Sequence, residues 1–122
     1  LHGEQAQRVA DQIGGTGVAV DVRDEAAIQR LVSETEDAHG PIGLFVSNAG
    51  YVTSAGLEDP NESIQAMWEV HCMAHIYAAR AVVPSMIARG EGYLLNTASA
   101  AGLGMSTKAS TTCVGGANFA VV

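Results

Sequence analysis

The chain has 122 residues, one domain's length (1–122), with 48% hydrophobic and 16% charged residues, which excludes a disordered acidic tail and fits buried helices and strands. Thirteen acids against six bases leave a net charge of −7, and Lys108 is the sole lysine. Nucleic acid, which is bound through Lys and Arg, is therefore not an expected partner.

No apolar run approaches the ~18–20 residues of a membrane span, and no cationic, apolar leader is recognisable, so no membrane partner is expected. Cys72 and Cys113 are too few for a disulfide framework, which makes a reducing, cytoplasmic setting the default. The first residue is Leu1 rather than methionine, and the chain reads as beginning mid-protein.

In chain order, Ala6, Val9, Ala10 and Ile13 keep helical spacing until Gly14-Gly15 stops the run. Gly17 to Val22 is short, Val-rich and strand-like. Asp24 is placed as an N-cap, Ile28, Leu31, Val32 and Thr35 mark one helical face, and Gly40-Pro41 ends that helix. A strand Gly43–Val46 follows, leading into Ser47-Asn48-Ala49-Gly50. After a polar loop to Pro60, the longest helix is expected over Ile64–Arg89, bent near Pro84 and closed by Gly90. The last strand, Tyr93–Asn96, leads into Thr97-Ala98-Ser99, and Gly104–Gly116 shows no clear period.

Strand, helix, strand, long helix, strand is the alternation of a parallel α/β sheet. The strands lack a clean polar–apolar alternation, as expected when both sheet faces are covered. Ligands in such sheets sit at the carboxyl ends of strands. Here those ends carry Asp21-Val22, Asn48-Ala49-Gly50 and Asn96-Thr97-Ala98-Ser99.

In order and spacing these segments resemble the short-chain dehydrogenase/reductase family over Asp21–Gly102. The resemblance implies a Rossmann-like, doubly wound parallel sheet that is incomplete here: it lacks the first two strands and the end of the domain. It also implies hydride transfer between NAD or NADP and a small-molecule carbonyl or alcohol. Asp21 and Val22 look like the pair bordering the adenine, and Asn48, Ala49 and Gly50 like the element lining the cofactor. Val70 and His71 stand where the family carries Val-Asn, and Ser99 matches the catalytic serine. Imidazole, with its ordinary pKa of ~6.5, can hold a water or shuttle protons at the asparagine position. In the family the long helix packs against its copy in a neighbouring subunit, so a homo-oligomer through residues 64–89 is implied.

Two departures stand out. The family's proton-donating tyrosine falls thirteen residues past Ser99, on Thr112, and its lysine four later, on Gly116. Nothing before Asp21 resembles the Gly-rich phosphate turn or the two opening strands; Leu1 falls just after the family's second strand, where an acidic or basic residue would select NAD or NADP, so the two cannot be told apart. By this reading the family's third strand is Val18–Val22, left without its usual neighbour, and the family's fourth strand has an open edge. The chain then reads as part of a longer enzyme and not competent alone.

Simpler readings stand beside these. Asp21 also reads as a strand-end carboxylate, Asn48 as a turn residue and Ser99 as a loop serine. His71 and His75, four residues apart, suit a metal, but the pattern places no third ligand. The alternative functions are a non-catalytic relative or interaction module and, as a foil, a small zinc hydrolase.

Overall fold

The computed structural model describes residues 3–51 and 58–99. Helix α1 (Gly3–Ile13) is followed by α2 (Glu25–His39), strand β1 (Leu44–Ser47), α3 (Asn61–Trp68), a π-helical turn (Glu69–Met73), α4 (Ala74–Arg89) and strand β2 (Tyr93–Asn96). The expected helix and strand positions hold at each of these elements.

The caps explain the boundaries. Asp24 accepts hydrogen bonds from the backbone N–H groups of Ala26 and Ala27, satisfying donors that the first turn of α2 leaves open. Gly40 and Gly90 close α2 and α4 at φ 84° and 75°, where a side chain would be strained. Asp24→Ala is therefore expected to cost about 1 kcal/mol, read as a shift in the denaturation midpoint. An unchanged midpoint would mean that Asp24 is not the cap.

The long helix runs from Asn61 through Pro84 to Arg89. Its departure from α geometry is the π-helical turn at 69–73, where one residue is accommodated without breaking the helix. Periodicity gave no sign of this turn, because helix continues without a break on both sides of it.

Strands β1 and β2 pair in parallel, Leu44 opposite Tyr93 and Ser47 opposite Asn96. Helices α2 and α4 pack together, and α4 covers one face of the sheet. The core lies between them: Val32, Val82 and Met86, with Ile42, Phe45 and Leu94 packed against it. At the base of this layer Glu36 accepts from Ile42 N at 3.3 Å and from Ser85 Oγ at 3.1 Å, while Arg89 Nη2 donates to the Ile42 carbonyl at 2.8 Å. These bonds tie the loop before β1 to both helices.

Two expectations are corrected. Residues 18–22 form no strand; β1 and β2 are the only strands among the described residues. A strand exists only through a neighbour's hydrogen bonds, and a Val-rich run does not supply that neighbour. Nor does this segment pair with β1.

The second correction concerns the sheet faces. Phe45, Ser47, Leu94 and Asn96 point toward the helices, but Leu44, Val46, Tyr93 and Leu95 are exposed on the other face, Tyr93 at 75%. The apolar residues on both faces reflect a doubly wound pattern, whereas α1 packs on no other helix or strand among the described residues. Instead Gln7 Oε1 accepts from Gly17 N at 3.1 Å, folding α1 back on its own following segment.

Candidate functional site

The parallel register brings two loops to one edge. Because Ser47 stands opposite Asn96, the residues that follow leave the sheet side by side. Thr97 N donates to the Ser47 carbonyl at 3.0 Å, and Thr97 Oγ1 donates to Asn48 Oδ1 at 2.7 Å. Asn48, Ala49 and Gly50 are exposed past β1, and Ala98 and Ser99 are exposed past β2. This is the carboxyl edge at which a parallel sheet binds its ligand.

The π-helical turn supplies the third wall. It carries His71, whose Nε2 donates to the Tyr51 carbonyl at 2.7 Å, and whose ring lies 5.6 Å from that of Tyr51. Gly50 lies so close that a Cβ there would sit 2.9 Å from His71 Cε1. A side chain at position 50 would therefore displace the imidazole. Val70, next to it, is buried.

Below the edge, His75 is 5% exposed and hydrogen-bonds Ser47 Oγ through Nδ1 at 2.7 Å. The Asn96 side chain bonds it as well. Burial, aided by the His71 charge and opposed by Asn96, pushes its pKa below the ordinary 6.5, which keeps the ring neutral. The two histidines thus do separate work, one on a loop backbone and one between the strands. Among the described residues no group of three or more His, Cys, Asp or Glu is placed to hold a metal.

Asp21 lies in a turn rather than at a strand end. Its carbonyl accepts from Asp24 N at 3.0 Å, and its Oδ1 accepts from Arg23 N at 3.0 Å. The Arg23 guanidinium also grips the carboxylate, with Nη2 to Oδ2 at 2.6 Å. These bonds hold the Asp21 pKa down at about 2. Val22, half-buried, shares the turn. Glu69, in the π-helical turn, adds to the stabilisation of the Arg23 charge.

The candidates therefore fall into three places: Asn48, Ala49, Gly50 and Ser99 at the strand ends, Val70 and His71 in the π-helical turn, and Asp21 and Val22 in the turn before α2. Thr112, Gly116, Lys108 and Cys113 lie outside the described residues. The sequence reading placed Thr97 at a strand end but not its bond to Asn48, and it missed the Tyr51 carbonyl, Arg23 and the Ser47–His75–Asn96 bonds. Ser47 and Asn96 were located at the strand ends without their bonds to His75; backbone acceptors such as Tyr51 O leave no sequence signal.

The profile of the family described as short chain dehydrogenase matches residues 1–114. The chain belongs to the short-chain dehydrogenase family. It is 35% identical over 103 residues to 1-deoxy-11-beta-hydroxypentalenate dehydrogenase of Streptomyces arenae, covering 81% of this chain and 36% of that protein. It is 29% identical over 104 residues to human epidermal retinol dehydrogenase 2, covering 82% of this chain and 34% of that protein. A short-chain type dehydrogenase/reductase from Mycobacterium marinum shares the fold at TM-score 0.80 and 24% identity, over 87% of this chain and 44% of its own. The chain thus spans between a third and a half of these relatives' lengths.

For a nicotinamide dinucleotide, the family's cofactor, the fit is one-sided. The exposed strand-end residues Asn48–Gly50 and Ala98–Ser99 present polar side chains and backbone at the carboxyl edge where such a group would lie. No Gly-rich turn follows a strand among the described residues, so none of them forms a phosphate cradle.

Proposed function

We propose that these residues are the central portion of an NAD(P)-dependent oxidoreductase that moves a hydride between the nicotinamide and a small-molecule carbonyl or alcohol carbon. The observation that carries the reading is the Thr97–Asn48 hydrogen bond, which sets the Asn48–Gly50 and Ala98–Ser99 segments against each other at the sheet's carboxyl edge. When bound, the cofactor supplies or accepts the hydride.

The chain's own residues position and solvate. Asn48, Ala49 and Gly50 line the cofactor, and the Ser99 hydroxyl orients the substrate oxygen. His71 spends Nε2 on the Tyr51 carbonyl, which leaves Nδ1 to hold a water of the proton relay. Asp21 and Val22 border the adenine. In the longer protein the 61–89 helix pairs with its copy in a second subunit; Ile64, Trp68 (53% exposed) and Ile87 are apolar and exposed along it.

A second reading, a relative that keeps the scaffold without catalysis, is favoured by Thr112 and Gly116 at the tyrosine and lysine positions. A threonine hydroxyl is far too weak an acid to replace a lysine-assisted phenol.

Titration of NADH fluorescence tests both. The 122-residue chain is expected to bind no tighter than millimolar, since the phosphates have no cradle, and micromolar affinity would overturn its incompetence alone. The full-length protein is expected to bind in the micromolar range and to turn over a carbonyl substrate. Binding without turnover of any carbonyl or alcohol would favour the non-catalytic relative.

A further inference from the structure

His75 reaches from α4 to the ends of both strands. Among the described residues it is the one buried polar side chain, 5% exposed. Its Nδ1 lies 2.7 Å from Ser47 Oγ, and the Asn96 side chain bonds the same ring. Ser47 and Asn96 are the last residues of β1 and β2 and stand opposite each other in the register. The imidazole therefore joins the two strands through side chains at the point where their backbone pairing ends. One residue further on, Thr97 N donates to the Ser47 carbonyl at 3.0 Å and Thr97 Oγ1 to Asn48 Oδ1 at 2.7 Å. The joint sits directly under the exposed edge.

Only the neutral ring suits this place. It has one donor and one acceptor, and a hydroxyl and an amide satisfy both. An imidazolium there calls for a carboxylate, and among the described residues none bonds it. On α2, Glu25 is held by Arg80, and Glu36 accepts from Ser85 Oγ and Ile42 N. In the π-helical turn, Glu69 accepts from Gln65 at 3.2 Å and supports the charge of Arg23. The strands offer His75 only Ser47 and Asn96, which carry no charge. Its one titrating neighbour is His71, whose charge opposes a second one on His75. A buried cation without a counter-ion either leaves its site or gives up its proton.

We propose that His75 is a pH-sensitive clip: neutral, it holds the ends of β1 and β2 together and keeps the Asn48–Thr97 edge in shape for a dinucleotide; protonated, it leaves Ser47 and Asn96, and the edge opens while the helices stay folded. That the ligand is a dinucleotide rests on the cofactor reading above; the opening of the edge does not. Burial keeps the ring neutral to below the ordinary 6.5. The edge is therefore closed above that pH and opens as pH falls through the lower, folded-state value.

The test uses the full-length protein and two readouts. Hydrogen exchange at single amides follows the edge without any ligand, and calorimetric titration with NAD+ and with NADP+ follows binding. An open edge frees a group that titrates at about 6.5, so the opening constant rises about thirtyfold between about pH 7.5 and about pH 5. Protection of the Thr97 amide is expected to fall by that factor, and to lie at least about tenfold below that of Val32 in the core of α2. The better-bound dinucleotide is expected to weaken about fivefold over the same range. His75→Asn, which keeps a polar group toward Ser47 and cannot titrate, is expected to bind within about threefold of the parent at the higher pH and to lose both pH dependences. Ser47→Ala cuts one leg of the clip but keeps the imidazole. It is expected to lower Thr97 protection about fivefold at the higher pH and to retain the pH dependence.

Thr97 protection that is flat with pH in the parent, or equal to that of Val32, would overturn the clip. So would the same pH dependence in His75→Asn. A falling Thr97 protection with unchanged dinucleotide affinity would overturn the clip's hold over the ligand. No binding of either dinucleotide at any pH would overturn the cofactor reading, and Thr97 exchange would still decide the opening of the edge.

Discussion

Gly92→Ala is expected to lower stability by about 3 kcal/mol. Gly92 has φ 145°, a region that only glycine adopts readily, and it leads directly into β2. A Cβ there would lie 2.4 Å from Met86 Cγ and 2.8 Å from its sulfur. Met86 cannot simply swing aside, since it is buried with Val32 and Val82 in the core. Backbone strain and overpacking each cost roughly 1–3 kcal/mol, and here they fall on one residue. Gly43→Ala is the control. Its Cβ would meet nothing within 4 Å and its φ is not positive, so a change below about 1 kcal/mol is expected. Urea denaturation of both variants decides it: equal midpoints would mean that the approach of Met86 to Gly92 is not real.

His75→Leu is expected to cost about 2–4 kcal/mol and to change how stability responds to pH. Leucine keeps the bulk but leaves Ser47 Oγ and the Asn96 side chain facing an apolar group inside the fold. Burial holds the folded-state pKa of His75 below its ordinary 6.5. Between those two values the unfolded chain binds a proton that the folded one refuses. The contribution is therefore complete above pH ~6.5 and is lost as pH falls toward the folded-state pKa. Denaturation at pH 7.5 and 5.5 is expected to show a larger loss in the parent than in His75→Leu. Equal losses would mean that His75 is not held neutral. The pair Ser47–His75 also lies directly beneath Asn48 and Thr97, so the same substitution is expected to loosen the strand-end loops that form the candidate site.

Much of this was legible in the residues. The Asp24 cap, the Gly40 and Gly90 stops and the strand Tyr93–Asn96 follow from local chemistry, which acts within a few residues whatever the rest of the chain does. The strand expected at 18–22 did not follow, because strand formation is a property of a pair and the segment has no partner among the described residues. The π-helical turn was equally hidden. One residue accommodated within a continuous helix changes which side chains share a face but leaves composition untouched. At the candidate site, the family resemblance names Asn48, Gly50, His71 and Ser99, which lie past the two strands and in the π-helical turn. The place of Arg23 was not legible, since nothing in an Asp-Val-Arg run says whether the guanidinium turns back on the carboxylate or out to solvent.

By itself the sequence determined the family, the helix ends, the two strands and the set of side chains with chemistry to offer. These depend on short-range caps and on motif order, both of which survive outside any particular fold. Only the tertiary structure decided which of those side chains meet. The Ser47–Asn96 register sets Thr97 against Asn48, the π-helical turn brings His71 onto the Tyr51 carbonyl beside Gly50, and His75 is buried between the strands. It also decided that only one face of the sheet is covered among the described residues, leaving Leu44, Val46, Tyr93 and Leu95 exposed. The physical reason is common to all of these: register, burial and hydrogen-bond partner are relations between distant segments, and no residue type encodes its neighbour.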